Sequence, residues 1–350
     1  WNMSAATNFG AMFEAAGNFN DNLNNWNVSN VTDMGYMFNN ANAFNGNITS
    51  WDTHSVTTMW VMFKEANAFN QDIGAWDVSA VRYMGSMFEG ADVFNKNISS
   101  WNVSLVTEMQ YMFKNAVAFN QPIGTWNVGA VTSMQGTFFN ATSFNQSINS
   151  WNVSAVTNMT GMFSQAYAFN QNLNSWNVSN VTSMYSMFEA ATAFNGNITS
   201  WDTHSVTSMG WMFKGASAFN QNIGGWNVSA ATGLECMFWN AIAFNQNIGG
   251  WNVSSATNMN WMFANATAFN QNLASWNPRY VTDFINMLGG TSLSTTNYNA
   301  LLVGWSARTL VSGRNFGAGS TKYSAGAATT ARSSIISSFG WTFSDGGQAP

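Results

Sequence analysis

Apolar side chains return to fixed places every 25 residues. Trp stands at 1, 26, 51, 76 and onward in steps of 25 to Trp276, twelve times without a slip. With that Trp as register 0, the consensus reads W-N-V-S-x-V-T-x-M-x-x-M-F-x-x-A-x-A-F-N-x-N-I-x-x. All of the 21 Met except Met3 fall at registers 8 and 11. Phe fills register 12 from Phe13 to Phe263 and register 18 from Phe19 to Phe269. One such unit cannot bury its own apolar face, so the units must stack on one another. Registers 22 to 2, as in Ile48-Thr49-Ser50-Trp51-Asp52-Thr53, are extended in character and predict a short strand. Registers 5, 8, 12 and 15, as in Val31, Met34, Phe38 and Ala41, are spaced like one helical face and predict a helix of about three turns. Ser29 and Asn30 are candidate caps for it. The expected fold is an α/β repeat solenoid, leucine-rich-repeat-like, with one short strand and one short helix per coil. At the ~4.8 Å spacing of paired strands, twelve coils would extend about 55–60 Å.

Register 19 is polar yet invariant. Asn20, Asn45, Asn70, Asn95, Asn120, Asn145, Asn170, Asn195, Asn220, Asn245 and Asn270 each follow the register-18 Phe. Read as buried, these side chains need partners, and an Asn stacked over the Asn of the next coil can bond the turn backbone on both sides. A structural ladder is the expectation, with a ligand site as the other possibility. Thr at register 6, broken only by Arg82, is read the same way. The run FNGNITSWDTHSVT occurs at both 44–57 and 194–207, which points to duplication of a six-repeat block.

The pattern decays after Asn277, dividing the chain into a solenoid at 1–290 and a capping segment at 291–350. Ser294 followed by Tyr298, Leu301, Leu302 and Trp305 predicts a capped amphipathic helix. Ser324 to Phe339 predicts a second helix, and Asn315-Phe316-Gly317 and Trp341-Thr342-Phe343 predict short strands. Together they form an α+β cap of the kind a solenoid needs over its last coil. The chain opens on Trp1 without Met or signal peptide, as a processed or truncated product would. Residues 1–278 carry a net charge of −8, from five basic and thirteen acidic residues, and residues 279–350 carry +3. Opposite charge at the two ends suits head-to-tail association, which builds open filaments when it does not close. A monomer with a slightly basic cap is the plainer alternative.

Composition narrows the function classes. Only 7% of residues are charged and 15% are aromatic, with 18 Trp, 28 Phe and 51 Asn among 350 residues. Disorder would lack the aromatics, and nucleic-acid binding would need more than ten basic residues. No apolar run reaches the ~20 residues of a membrane span. No cofactor is implied. His54 and His204 share a register six coils apart and so cannot act together, and paired carboxylates, phosphate loops and nucleophile elbows do not recur. An enzyme is not expected. The single Cys, Cys236, excludes a disulfide framework and leaves either a bystander thiol or an intermolecular disulfide.

Two surface features remain. Registers 9 and 10 should point outward, and they carry Tyr36, Trp60, Tyr111, Tyr185, Trp211 and Trp261. Exposed aromatics on one face suggest an interface for another subunit or for sugar rings, and packing across neighbouring coils is the competing reading. Sixteen N-x-S/T sequons occur. Those at Asn30, Asn140, Asn180 and Asn265 sit at variable registers and are the candidate glycosylation sites of a glycoprotein, although an Asn-rich chain also makes sequons by composition.

The run FNQNLNSWNVSNVTSMYSMFEAATAFNGNI at 169–198 resembles the 25-residue repeats of BspA-like leucine-rich-repeat surface proteins. The segment from Asn297 onward, including FGAGSTKYSAGAATTARSSIISSFGWTFSDGG, is similar to the part that often follows such repeats in secreted bacterial and some algal proteins. The resemblance spans essentially the whole chain. It implies an extracellular or cell-surface location with adhesion or surface-layer roles, and it carries over no catalytic residue. The expected function is therefore a secreted structural protein whose solenoids self-assemble end to end into a fibre or surface layer, partnering itself. The alternative is a cell-surface adhesin binding host protein or glycan through the repeat face.

Overall fold

In the computed structural model, residues 3–350 are described, and they form two compact units, 3–177 and 178–350. Both units are repeat solenoids made of the same coil, and the coil contains neither the expected helix nor the expected strand. Among the described residues, no helix and no strand longer than a single bridge occurs before Thr295.

Hydrogen bonds along registers 8 to 15 give the reason. In the coil that begins at Trp51, the N–H groups of Met59, Val61, Phe63 and Glu65 donate to carbonyls of the next coil: Tyr83, Gly85, Met87 and Glu89, at 2.7–3.0 Å. The alternate N–H groups, of Met62, Lys64 and Ala66, close turns onto the carbonyls of Met59, Val61 and Phe63 within the coil. A helix would keep every N–H on its own axis and leave nothing for the neighbour. The chain instead threads consecutive turns, and the 3-4-3 spacing of apolar residues aims them inward without a helical backbone. Parallel bridges mark register 7, running from Asn8 through Asp33, Thr58, Tyr83, Glu108 and Ser133 to Asn158 in unit 1, and from Ser183 through Ser208, Gly233 and Asn258 to Asp283 in unit 2.

This zigzag requires a left-handed backbone twice per coil, at registers 10 and 14. Positive φ occurs at Tyr36 and Asn40, Val61 and Glu65, Tyr111 and Asn115, and at Trp211 and Gly215, and the other coils follow suit. Asn and Gly tolerate that conformation best, and register 14 is largely Asn or Gly. Register 10 accepts Val, Tyr and Trp, so their strain must be held by the stacking itself.

The expected strand at registers 22 to 2 is replaced by two corners. Asn47 Oδ1 accepts from Thr49 N–H, and Trp51 N–H closes a turn on Ile48 O. The Trp51 indole N–H reaches back to Leu23 O in the preceding coil at 2.9 Å. Ile, Trp and Val are used here because they point into the core. That core is a set of columns: Phe38, Phe63 and Phe88 stack at 5.5–5.8 Å, and within a coil Phe63 lies 3.9 Å from Phe69. At roughly 1.5–3 kcal/mol per large apolar side chain fully buried, these columns outweigh the few ion pairs as the source of cohesion.

The last coil of unit 2 is closed by four elements: α1 (Thr295–Ser306), β1 (Asn315–Gly317), α2 (Ala327–Phe339) and β2 (Thr342–Ser344). Ser294 caps α1 by accepting from Asn297 N–H. The cap imitates a coil group by group. Trp305 donates its indole N–H to Leu273 O as a register-0 Trp would, and β1 bridges Phe284 through Phe316. β2 pairs in parallel with β1, and Asn299 Oδ1 accepts from Ser324 N–H, again 25 residues on. The hydrogen-bonding period therefore outlasts the sequence period.

Left-handed register 14 can be tested in two adjacent coils. Gly215 has φ +70, and a Cβ added there would meet only ordinary contacts near Ala190, so Gly215→Ala isolates backbone strain. It is expected to lose about 1 kcal/mol of unfolding free energy by denaturant titration. Ala190→Gly, at φ 55, is expected to be neutral or slightly stabilising, which no helical or extended backbone at this site would give.

Candidate binding surface

The register-19 Asn side chains form a ladder at the surface, where they are half-buried or exposed. This corrects the expectation of buried side chains. Asn20 Oδ1 accepts from Asn45 N–H at 2.7 Å, Asn45 Oδ1 from Asn70 N–H, Asn120 Oδ1 from Asn145 N–H and Asn245 Oδ1 from Asn270 N–H. Gln at register 20 adds a second donor, as when Gln171 Nε2 bonds Asn145 O and Oδ1. The cap terminates the row, since Ser294 N–H and Asn297 Nδ2 both donate to Asn270 Oδ1. Thr at register 6 makes a parallel row, with Thr57 Oγ1 donating to Thr32 O and Thr257 Oγ1 to Thr232 O. Much of the remaining Asn makes corners: at registers 1, 7 and 21 the side-chain oxygen accepts from the N–H two residues on, as for Asn102, Asn158 and Asn247.

The sequon positions are engaged in the same framework. Asn30 Nδ2 donates to Ser4 O, Asn140 Nδ2 to Asn115 Oδ1 and Asn265 Nδ2 to Asn240 Oδ1. Asn140 and Asn265 hold left-handed register 14, while Asn30 and Asn180 are exposed at register 4. A glycan on Asn30, Asn140 or Asn265 would replace an inter-coil hydrogen bond.

The aromatics at registers 9 and 10 lean along the stack. In unit 1, Trp60 lies over Gly85, whose added Cβ would meet the indole, and Tyr111 lies over Gly136 in the same way. The glycine in one coil makes room for the ring of the coil before it. Tyr36 differs, because it is 43% exposed and lines a groove of about 340 Å³ with Asn8, Gly10, Asp33, Gly35 and Trp60. In unit 2, Tyr185, Trp211 and Trp261 are half-buried and joined by a residue the sequence reading missed, Trp239. Tyr185 and Trp211 lie 6.4 Å apart, Trp211 and Trp239 6.3 Å, and Trp239 and Trp261 5.1 Å. Lys214 Nζ stands 3.8 Å over Trp211 and bonds Glu189 at 3.0 Å. Two enclosed polar atoms of this strip have no partner, Glu235 Oε2 and Trp239 Nε1. Burial raises the Glu235 carboxyl above the usual range, and burial also pushes the neighbouring Cys236 thiol up to about 11. An enclosed thiol that stays protonated is a poor partner for disulfide chemistry. Trp239 was visible as the one Trp at register 13, where Glu, Asn and Lys otherwise prevail in the central coils.

Register 13 also gathers the scarce charges of unit 1. Glu89 is 5% exposed and bridges Lys64 at 3.2 Å and Lys114 at 2.9 Å, one coil to either side. Burial alone would raise the Glu89 carboxyl, but hydrogen bonds from Lys114, Ser86 and Lys64 outweigh it and hold the group below its ordinary range. At register 3, His54 Nδ1 lies 2.8 Å from Asp52 Oδ1 and His54 Nε2 lies 3.0 Å from Ser55 Oγ, and His204 repeats the arrangement with Asp202 and Ser205. The order matches a nucleophile relay, yet the Asp52 and His54 side chains are 60% and 54% exposed. Water therefore screens the charges such a relay must concentrate. The group serves as another corner. Among the described residues, no cluster of three His, Cys, Asp or Glu could hold a metal, and no helix is long and apolar enough to cross a membrane.

A 25-residue coil, bonded coil to coil and closed by an imitation of itself, defines a repeat solenoid. The family described as Mycoplasma protein of unknown function, DUF285, matches residues 1–101, 47–141, 67–176, 121–223 and 182–305, and the chain belongs to that family. The overlap of the five matches is the footprint of the repeat. No curated protein matches the chain.

Two substitutions probe the ladder and the ion row. Asn145→Ala removes the acceptor for Asn170 N–H and Gln171 Nε2 and is expected to lose about 1–2 kcal/mol, while Asn145→Asp keeps the oxygen and most of the stability. Glu89, with its depressed carboxyl, adds stability above the usual Glu value of about 4.3 and loses it as pH falls through the lower folded value. Thermal midpoints across that acid range should drop more steeply for the native chain than for Glu89→Gln.

Proposed function

We propose that the chain is an extracellular or cell-surface repeat protein of the BspA-like type that works as an adhesin, binding through registers 9, 10 and 13. The carrying observation is the aromatic strip of unit 2, where Tyr185, Trp211, Trp239 and Trp261 follow one another in contact along four coils. A stacked core holds each unit without needing this strip, so its aromatics are free to serve binding. Half-exposed rings beside polar groups are the usual anchors of a recognition surface.

End-to-end assembly into a fibre has less support. The cap occupies the acceptor groups of the last coil, Asn270 Oδ1 and Leu273 O, through which a further coil would dock. Three of the five basic residues behind the +3 charge are also engaged: Arg332 pairs with Asp345, and Arg308 and Arg314 donate to Ser275 O and Thr282 O. What favours assembly is the surface itself, since a chain with 7% charged residues is poorly equipped to stay solitary.

Beads coated with the chain should adhere to glycan-bearing surfaces, and a Trp60→Ser/Trp211→Ser variant with unchanged melting should adhere several-fold less. Equal adhesion of the two chains sinks the adhesin reading. Regular filaments in negative-stain images would favour the fibre instead.

A further inference from the structure

The geometry points to a binding site for an extended neutral glycan chain along Tyr185, Trp211, Trp239 and Trp261, completed by Glu235; this rests on the adhesin reading and names its ligand. Three observations converge. The strip presents one ring per coil, with successive ring centres 5.1–6.4 Å apart, a spacing comparable to the length of one pyranose residue. A linear sugar chain lying along the stack would therefore meet a new ring at each residue, its apolar C–H groups against the exposed parts of the half-buried rings that Lys214 does not cover.

The second observation is the pair of unpartnered polar atoms. Glu235 Oε2 can only accept while ionised, and Trp239 Nε1–H can only donate. Enclosed polar atoms need partners, and the chain offers these two none. A hydroxyl group both donates and accepts, so one kind of ligand satisfies both atoms once the Glu235 carboxylate and the Trp239 indole rotate outward to meet it. The Glu235 carboxylate spans two coils, with Oε1 over Gly210 beside the Tyr185 ring and the unpartnered Oε2 against Gly233, so the group lies at the edge of the strip.

The third is charge. Lys214 is the one cation among the rings described above, and it is spoken for, by Glu189 at 3.0 Å and by the faces of Trp211 and Trp239. Nothing there is left to attract an anionic polymer. The same pairing already fills the cation position over Trp211, which speaks against an organic cation as ligand. A neutral, hydroxyl-rich chain fits what remains.

The test titrates the full-length chain with a neutral β-1,4-linked hexasaccharide, with an anionic uronic-acid hexasaccharide and with choline, by calorimetry. The neutral hexasaccharide should bind and the other two should not. Trp239→Phe, which keeps the ring and removes the N–H, and Glu235→Gln should each weaken binding by about threefold to tenfold. Trp261→Ala should weaken it further, and Tyr36→Ser in unit 1 should leave it unchanged. Failure to bind the neutral chain, or equal binding by the Trp239 and Glu235 variants, overturns the proposal. So does preference for choline or the anionic chain. If the oligosaccharide does not bind while Trp60→Ser/Trp211→Ser still lowers bead adhesion, this inference fails and the adhesin reading stands; if the native chain does not adhere at all, the reading itself fails.

Discussion

Every coil must hand its alternate amide groups to the next coil, and most of what is unusual about the chain follows from that demand. Met59, Val61, Phe63 and Glu65 give their N–H groups away along the stack, so registers 8 to 15 cannot close a helix. Zigzag turns are the remaining way to keep the intervening amides satisfied, and these turns require positive φ at registers 10 and 14. Because each coil makes the same gift at the same register, the repeat length is fixed at 25 and tolerates no insertion between Trp26 and Trp276. Sequence regularity is here a consequence of bonding, and it explains the invariant Trp as well, whose indole N–H reaches a carbonyl of the preceding coil.

The same demand shapes the surface. Polar side chains are recruited where the backbone turns too sharply to bond itself, which accounts for much of the Asn: ladder rungs at register 19, corners at registers 1, 7 and 21, and left-handed positions at register 14. A neutral amide does this work without the desolvation cost of a charge, and so charges are few. Where Trp60 and Tyr111 appear at registers 9 and 10, room for them comes from glycine in the following coil, Gly85 and Gly136. The strip in unit 2 departs from that rule at Trp211, Trp239 and Trp261, which meet one another instead. Departure from a packing rule is what separates a candidate binding surface from ordinary stacking.

Much of this was legible in the sequence, though unevenly. The period, the inward registers and the Asn row could be read directly, and so could α1, from Ser294 and the spacing of Tyr298, Leu301, Leu302 and Trp305. The coil backbone could not. Spacing of 3, 4 and 3 reports which side chains point inward, and a helix and a zigzag of turns can share that spacing while differing in where the amides go. β-branched and aromatic residues at registers 22 to 2 misled in the same way, since burial selects them whether or not a strand forms. Positive φ at Val61 or Trp211 leaves no sequence signature, because neither residue favours it. Within the strip, Trp239 was in plain view as an out-of-place Trp, but the lack of partners at Glu235 Oε2 depends on three coils meeting and has no one-dimensional trace.

Backbone torsions at registers 10 and 14 are where this picture is most exposed to test. Chemical-shift assignment of the full chain by nuclear magnetic resonance would read them at Val61, Glu65, Tyr111 and Trp211. Positive φ at all four is expected, with ordinary negative values at the residues between Val61 and Glu65. An unbroken run of helical torsions from Val56 to Ala66 would mean that the amides stay within the coil, and the stack would then need another explanation.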